Sequence, residues 1–165
     1  MDYVRVCAID AGYRNFAYCV VDNFSWNAPL VWRKEDLWGA RKAKPTNRDI
    51  ITFTRRWCEN NREMLSNCDF IVLEKQMRTP FIVMNTVIQA HYFDPSKVVS
   101  PKTFCKYFKL PTKREAKKQA TIELVEKHAI IPERYEKIDD LADAWMMAVW
   151  GLAERGGISK QDFLL

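Results

Sequence analysis

The first part of the chain carries short apolar runs, and the later part carries apolar positions at helical spacing. The early runs are rich in β-branched and aromatic residues and comprise Tyr3–Asp10, Phe16–Asp22 and Pro29–Arg33. This composition is typical of strands. Because the connections between the runs are short, we expect three antiparallel strands.

Two more strands are predicted further along the chain. Asp69–Glu74 (DFIVLE) is almost entirely apolar, as in a strand that is buried on both faces, and Lys97–Ser100 is a second short run. Thr46–Ser66 has the apolar spacing of a helix. The order of the elements therefore predicts an α/β fold with a mixed five-stranded sheet and helices on both of its faces, built as a single domain over residues 1–165.

Three further helices are predicted from their starting residues. Thr79 followed by proline resembles an N-cap and opens a helix to about Tyr92. Thr112 is expected to cap a helix that ends before Pro132, and Asp139 to cap one that runs to about Glu154.

Composition excludes several classes of protein. Hydrophobic residues make up 48% of the 165, which is enough for a folded core. No run of about 18 apolar residues is present, so we expect no membrane span. The first nine residues have the pattern of a strand, without a basic flank followed by an apolar block, so we expect no signal peptide. The five cysteines form no C-x-x-C pair, which favours reduced thiols in an intracellular, reducing compartment.

Positive charge is concentrated in one segment of the chain. Between positions 102 and 118 there are seven basic residues and a single acid, Glu115, which gives that segment a charge of +6. Because the whole chain carries +5, the remaining residues sum to −1. The basic residues are Lys102, Lys106, Lys109, Lys113, Arg114, Lys117 and Lys118. A local basic field of this kind indicates binding to a polyanion, although a solvated helix face would look the same.

Four carboxylates stand at three places where the fold itself does not obviously require an acid. Asp10 and Glu74 each end an apolar strand, and Asp140 and Asp143 are three residues apart on the last helix, so they share a face. Singly, each could be a turn residue or an acid that stabilises a helix N-terminus. If the two strands are neighbours, Asp10 and Glu74 lie roughly 5 Å apart. Such a cluster would need divalent cations to neutralise it.

The same cluster suggests a chemistry. Two cations about 4 Å apart can activate a water and hold a phosphodiester. The acidic cluster and the basic segment together therefore suit phosphodiester hydrolysis, with two Mg²⁺ ions in the site and no small-molecule cofactor.

Three motifs in series, Ile9–Asp22 (IDAGYRNFAYCVVD), Ile71–Gln76 (IVLEKQ) and Lys137–Trp145 (KIDDLADAW), resemble those of the RuvC-like Holliday junction resolvases. The likeness is strongest to the short resolvases of poxviruses and related large DNA viruses. It spans nearly the whole chain and implies a ribonuclease H-like fold.

The resemblance also implies an activity and a set of site residues. The activity is symmetric paired nicking of four-way DNA junctions by a homodimer, with Mg²⁺ or Mn²⁺. The family's metal-binding acids correspond to Asp10, Glu74, Asp140 and Asp143, while Asp139 resembles a helix cap.

The resemblance further implies a catalytic lysine before the last helix. Lys102, Lys113, Lys117 and Lys118 all compete for this role, and Lys117 and Lys118 are preferred because they lie on the preceding helix. The other basic residues of the segment (Lys102, Lys106, Lys109, Lys113 and Arg114) are expected to bind DNA. Arg14 is a further candidate, since it could stack on or separate bases at a junction.

The predicted helix from Thr79 to Tyr92 is apolar on more than one side, whereas a surface helix usually shows one apolar stripe. We expect its second face to pack against its own copy in a two-fold dimer. Burial within one domain would explain the same pattern.

Three other functions compete with junction resolution. A ribonuclease H or an integrase core would share the fold. An actin-like ATPase fragment also carries an I-D-x-G turn, but the chain is too short for the two domains of such an ATPase. A non-catalytic junction-binding module would not need all four acids.

Overall fold

Five strands form a single mixed sheet in the order β3-β2-β1-β4-β5. This computed structural model describes residues 2–131 and 138–164, so Pro132 and Lys137 lie outside the described residues. The strands are β1 (Arg5–Asp10), β2 (Phe16–Asp22), β3 (Val31–Glu35), β4 (Phe70–Glu74) and β5 (Ser96–Val99). β1, β2 and β3 pair antiparallel, while β4 pairs parallel with both β1 and β5. The predicted mixed sheet with three antiparallel strands is confirmed.

Helices account for most of the remaining described residues. They are α1 (Asn47–Asn60), α2 (Arg62–Ser66), α3 (Thr79–His91), α4 (Pro101–Tyr107), α5 (Arg114–His128), α6 (Asp139–Glu154) and α7 (Gln161–Leu164). The helix predicted over 46–66 is in fact two helices that meet at Asn61. The sequence did not predict α4 or α7.

Each face of the sheet is covered by its own set of helices. α6 packs on β1 and β2, and α4 and α5 pack on α6. α1 and α3 cover the opposite face, where Trp57 of α1 contacts the rings of Phe16 and Tyr18. Successive residues of β1 alternate between these two cores, as the pleat of a strand requires. Helices on both faces were predicted, and this is confirmed.

The position of α6 over the sheet is fixed at both ends of the helix. Near its start, the Leu141 carbonyl accepts a hydrogen bond of 2.7 Å from the indole nitrogen of Trp32 on β3. Near its end, Gly151 faces the sheet so closely that a Cβ atom there would lie 2.7 Å from Val6 Cγ1 and 2.9 Å from Val72 Cγ2. The absent side chain therefore allows the close packing of helix on sheet.

Three predicted helix caps are wrong by one residue. The N-caps of α3, α5 and α6 are Arg78, Lys113 and Ile138, and none of them accepts a side-chain capping hydrogen bond. Thr79 and Asp139, expected to be caps, are instead the first helical residues, and Thr112 precedes the cap of α5. The polar residue before an apolar run marks the region of a helix start, but adjacent positions look alike in sequence.

Two further observations concern the chain as a whole. Within residues 2–131 and 138–164, no helix combines the length and the apolar character needed to cross a membrane. The five cysteines are free thiols, and four of them are buried.

Candidate active site

The edge of the sheet where β1 and β4 end brings two carboxylates together. The strands are parallel and Ile9 pairs with Leu73, so the next residues in register are Asp10 and Glu74. Residues that pair directly across neighbouring strands point to the same face. Asp10 pairs with Ala17, which lies in the core beneath α6, so the two acids face α6.

The first two turns of α6 supply the other two acids. Asp140 and Asp143 lie above this edge of the sheet, and each acts electrostatically on Asp10 or Glu74. All four predicted acids are therefore in one place, although they come from three separate stretches of the chain. The N-terminal half of α6 thus completes an acidic cluster with the ends of β1 and β4, which we call the acidic site.

The pKa values of the acidic site show how strongly its charges repel. Burial, followed by the neighbouring charges of Glu74 and Asp140, raises the pKa of Asp10 to about 8. Burial and the charge of Asp10 raise the pKa of Asp143 to about 7. The pKa of Glu74 is also raised, by burial first and by Asp143 next. The site therefore holds more negative charge than its protein surroundings compensate.

A cleft of about 240 Å³ opens beside the acidic site, between α5 and α6. Acids of α6 form one wall and cations of α5 form the other. The lining residues are Arg114, Lys117, Lys118, Thr121, Asp139, Asp140 and Asp143. A phosphodiester in this cleft would meet positive charge on one side and the acidic site on the other.

The structure distinguishes the two lysines preferred as catalytic. Lys117 is half-buried and its charge lowers the pKa values of Glu74 and Asp143, so it acts on the acidic site directly. Lys118 is exposed and lies 2.8 Å from the carboxylate of Asp139. Their catalytic roles stay predictions, but the geometry favours Lys117.

The cations predicted to bind DNA are spread over a wider surface. Lys102 and Lys106 lie on α4, Lys109 follows it with a positive φ of 54°, and Lys113 precedes α5. All four side chains are exposed, and none of them lines the cleft, whereas Arg114 does. Their contact with DNA stays a prediction.

The Arg14 side chain forms hydrogen bonds with the segment after β3 instead of extending freely into solvent. Its guanidinium donates to the carbonyls of Gly39 (2.9 Å) and Arg41 and lies 3.5 Å from the carboxylate of Asp36. These bonds join the β1–β2 turn to the segment after β3. The predicted contact of Arg14 with DNA stays a prediction.

Three polar residues around the acidic site were not among the predicted site residues. The Gln76 amide donates to Asp10 Oδ1 at 3.4 Å. The Asn85 amide, on α3, donates to the backbone carbonyl of Glu74 at 2.8 Å and so fixes the end of β4. Lys34 of β3 lies 3.3 Å from Asp140 Oδ2. For Lys34 the sequence offers no signal, because its position follows only from the strand register.

The donor set of the acidic site fits hard divalent cations. Four carboxylates supply only oxygen ligands, which Mg²⁺ and Mn²⁺ prefer, and their raised pKa values show negative charge that a cation would relieve. Over residues 2–131 and 138–164, no three acidic, histidine or cysteine side chains already form a closed ligand set. Side-chain rotation would have to complete the set.

Comparisons with known proteins agree with this architecture. A model of the family described as "Poxvirus A22 protein" matches residues 4–154. No curated protein sequence matches the chain.

Several solved structures share the fold. The fowlpox virus Holliday junction resolvase matches with a TM-score of 0.61 and 16% identity over 92% of this chain and 99% of that one. The yeast mitochondrial Holliday junction resolvase Ydc2 matches with a TM-score of 0.70 and 19% identity over 93% of this chain and 81% of that one. RuvC of Thermus thermophilus matches with a TM-score of 0.60 and 14% identity over 93% and 98%. These likenesses show a RuvC-like, ribonuclease H-like fold.

Proposed function

The chain belongs to the poxvirus A22 protein family, and from that premise we propose that it is an endonuclease that resolves four-way (Holliday) DNA junctions. The observation that carries the proposal is the convergence of Asp10, Glu74, Asp140 and Asp143 beside a cationic cleft. Structural neighbours support the substrate class. The fowlpox virus resolvase and Thermus thermophilus RuvC have each been solved with Holliday junction DNA.

The proposed chemistry is hydrolysis of a phosphodiester with two divalent ions, Mg²⁺ or Mn²⁺, held by the four acids. Such ions would supply positive charge to the entering and leaving oxygens and lower the pKa of the attacking water. Lys117 adds positive charge beside Glu74 and Asp143, which offsets part of the charge that the phosphate brings. Asn85 keeps the end of β4 in place, so that Glu74 stays opposite Asp10.

DNA would reach the acidic site along the cationic surface of α4 and α5. Lys102, Lys106, Lys109 and Lys113 are exposed there, and Arg114 lines the cleft itself. Lysine and arginine contacts to phosphates position a duplex without reading its sequence. This surface therefore suits the recognition of DNA shape, and affinity should fall steeply with salt.

Paired nicking on opposite strands needs two active sites, which leads us to propose a homodimer. Part of α3 supports this: Met84 and Ile88 are buried against the sheet, while Ile82 is 46% exposed and the preceding Met77 is 86% exposed. We propose that these two exposed apolar side chains lie at the interface of that homodimer. Sedimentation at micromolar concentration should give a dimer, and Ile82→Glu should shift it towards monomer.

The free cysteines, four of them buried, suit a reducing compartment, and we propose that the protein works inside cells. A second candidate substrate is an RNA–DNA hybrid, because the ribonuclease H-like fold also serves that reaction. The basic surface extends beyond the cleft, which favours a branched substrate with several arms.

The test is incubation of the purified protein with a synthetic four-way junction, a matched linear duplex and an RNA–DNA hybrid, with and without Mg²⁺. Mg²⁺-dependent nicks at symmetric positions on two opposing strands of the junction are expected. Cleavage of the hybrid alone would replace the proposed substrate. Binding of the junction without any cleavage in Mg²⁺ or Mn²⁺ would assign the chain to the non-catalytic modules.

A further inference from the structure

One row of residues crosses four strands at the edge of the acidic site. Glu74 and Asp10 are the next residues in the parallel β4–β1 register, Asp10 pairs with Ala17 on β2, and Ala17 pairs with Lys34 on β3. Directly paired residues point to the same face. Lys34 therefore lies on the same face of the sheet as the two strand acids, with only the small side chain of Ala17 between it and Asp10.

From this position Lys34 forms an ion pair with an acid of α6. Its Nζ lies 3.3 Å from Asp140 Oδ2, and the lysine and aspartate side chains are 22% and 32% exposed. Its charge also contributes, after that of Lys118, to the lowered pKa of Asp139. Trp32, two residues earlier on β3, bonds to the Leu141 carbonyl in that same turn. The pairing is therefore set by the strand and the helix together.

We propose that the Lys34 ammonium group is the counter-ion of Asp140 in the DNA-free protein, where it competes with a divalent ion for this carboxylate. When a substrate phosphate binds the ammonium group instead, Asp140 becomes available to the divalent ion. In the free protein, the ammonium group neutralises Asp140 and repels any ion that would bind there. A phosphodiester in the adjacent cleft is a competing partner for the ammonium group. Lys34 is therefore a positioning residue that makes full metal loading depend on bound DNA.

This inference rests on the proposed function, but it can be tested without cleavage. The probe is Mn²⁺ alone, titrated into DNA-free protein while free Mn²⁺ is measured by electron paramagnetic resonance. Lys34→Met should tighten Mn²⁺ binding about tenfold, the size expected for one unit charge a few ångströms from a divalent ion in a water-like dielectric. Lys34→Arg, which keeps the charge, should bind like the wild type. Lys42→Met, at an exposed lysine of the following loop, is the matched control and should also bind like the wild type.

A double-mutant cycle tests whether the effect of Lys34→Met on Mn²⁺ affinity comes from the Lys34–Asp140 ion pair or from a general change in the fold. When Asp140 is replaced by asparagine, the further change of Lys34 to methionine should alter Mn²⁺ affinity much less than in the wild type, because the competition has been removed. Circular dichroism checks that each variant is folded, and Lys34→Gln replaces Lys34→Met if the latter is not.

A second arm repeats the titration with a four-way junction whose phosphodiesters cannot be cleaved. DNA should tighten Mn²⁺ binding to the wild type more than to Lys34→Met. Unchanged or weaker Mn²⁺ binding by DNA-free Lys34→Met would overturn the inference, since it would show that the lysine does not compete with the metal. Failure of the wild type to cut any junction would instead count against the proposed function and leave this Mn²⁺ result standing.

Discussion

The Lys118 ammonium lies 2.8 Å from the Asp139 carboxylate and holds the pKa of that acid below its usual range. Asp143, one turn further along α6, has its pKa raised to about 7. Two acids on one helix therefore have opposite environments. Asp139 is paired with a surface cation, whereas Asp143 lies near other acids. This contrast provides a matched pair of variants.

Replacing Asp143 by asparagine should abolish cleavage of a four-way junction and leave its binding largely intact. We expect a fall in cleavage rate of about a hundredfold or more, because a group in the acidic site contributes several kcal/mol through the bound cation. Single-turnover cleavage and a gel-shift titration measure the two properties. Asp139→Asn is the control and should cut at nearly the wild-type rate. Wild-type cleavage by Asp143→Asn would remove this residue from the metal site.

Lys117 should matter more for cleavage than its neighbour Lys118. Lys117→Met removes the cation that acts on Glu74 and Asp143, and it should slow cleavage on the order of a hundredfold. Lys118→Met removes the exposed pair with Asp139 and one cation at the edge of the cleft, and it should change the rate by a few fold. Cleavage rates at saturating DNA make the comparison. Equal losses in both variants would indicate a shared role in binding the DNA backbone.

The metal-free protein should become less stable as the pH rises from 6 to 8. The pKa of Asp10 is about 8 in the folded protein and about 4 when unfolded, so between these values the folded state binds more protons. Stability is therefore lost as the pH rises, by up to about 1.4 kcal/mol per pH unit for each such carboxyl group.

Thermal melts at the two pH values, with and without Mg²⁺, test this relationship. Mg²⁺ should raise the melting temperature more at pH 8, where protons no longer compete for the carboxylates. The variant Asp10→Asn should show a smaller dependence on pH than the wild type. A melting temperature that rises with pH in the metal-free wild type would contradict the expected protonation of the site.

Gly151→Ala should destabilise the fold even though alanine is the better helix former. The added Cβ would lie within 3 Å of Val6 and Val72, and such overpacking costs about 1–3 kcal/mol. The gain in helix propensity is about 1 kcal/mol, so a net loss on the order of 1 kcal/mol remains. Urea denaturation measures the free energy of unfolding. Glu154→Ala, at an exposed site of the same helix, is the control, and a Gly151→Ala variant as stable as this control would show that the helix can move outward.

Much of the fold could be predicted because its signals are local. The apolar run of β4 indicates a strand buried on both faces, and the structure places β4 between β1 and β5. The gathering of Asp10 and Glu74 followed from the hypothesis that their strands are neighbours. The presence of α6 and its end at Glu154 were also predicted.

Features that depend on tertiary geometry were not predictable in the same way. The caps of α3, α5 and α6 are shifted by one residue, because no side-chain hydrogen bond marks the actual cap. The pairing of Lys34 with Asp140 depends on the β2–β3 register and on how α6 lies over it. Lys34 directly follows the predicted strand Pro29–Arg33, so no pattern in the sequence identifies its face. The preference for Lys117 over Lys118 likewise needed the rotation of α5.

The parallel pairing of β4 with β1 has a consequence for how the chain acquires activity. The segments that carry the four acids are separated by the whole of β2, β3 and α1, and α6 follows all five strands. An emerging or clipped polypeptide that lacks α6 would keep two of the acids and the α5 wall of the cleft, but not the α6 wall. The acidic site is therefore complete only once α6 has packed on the sheet.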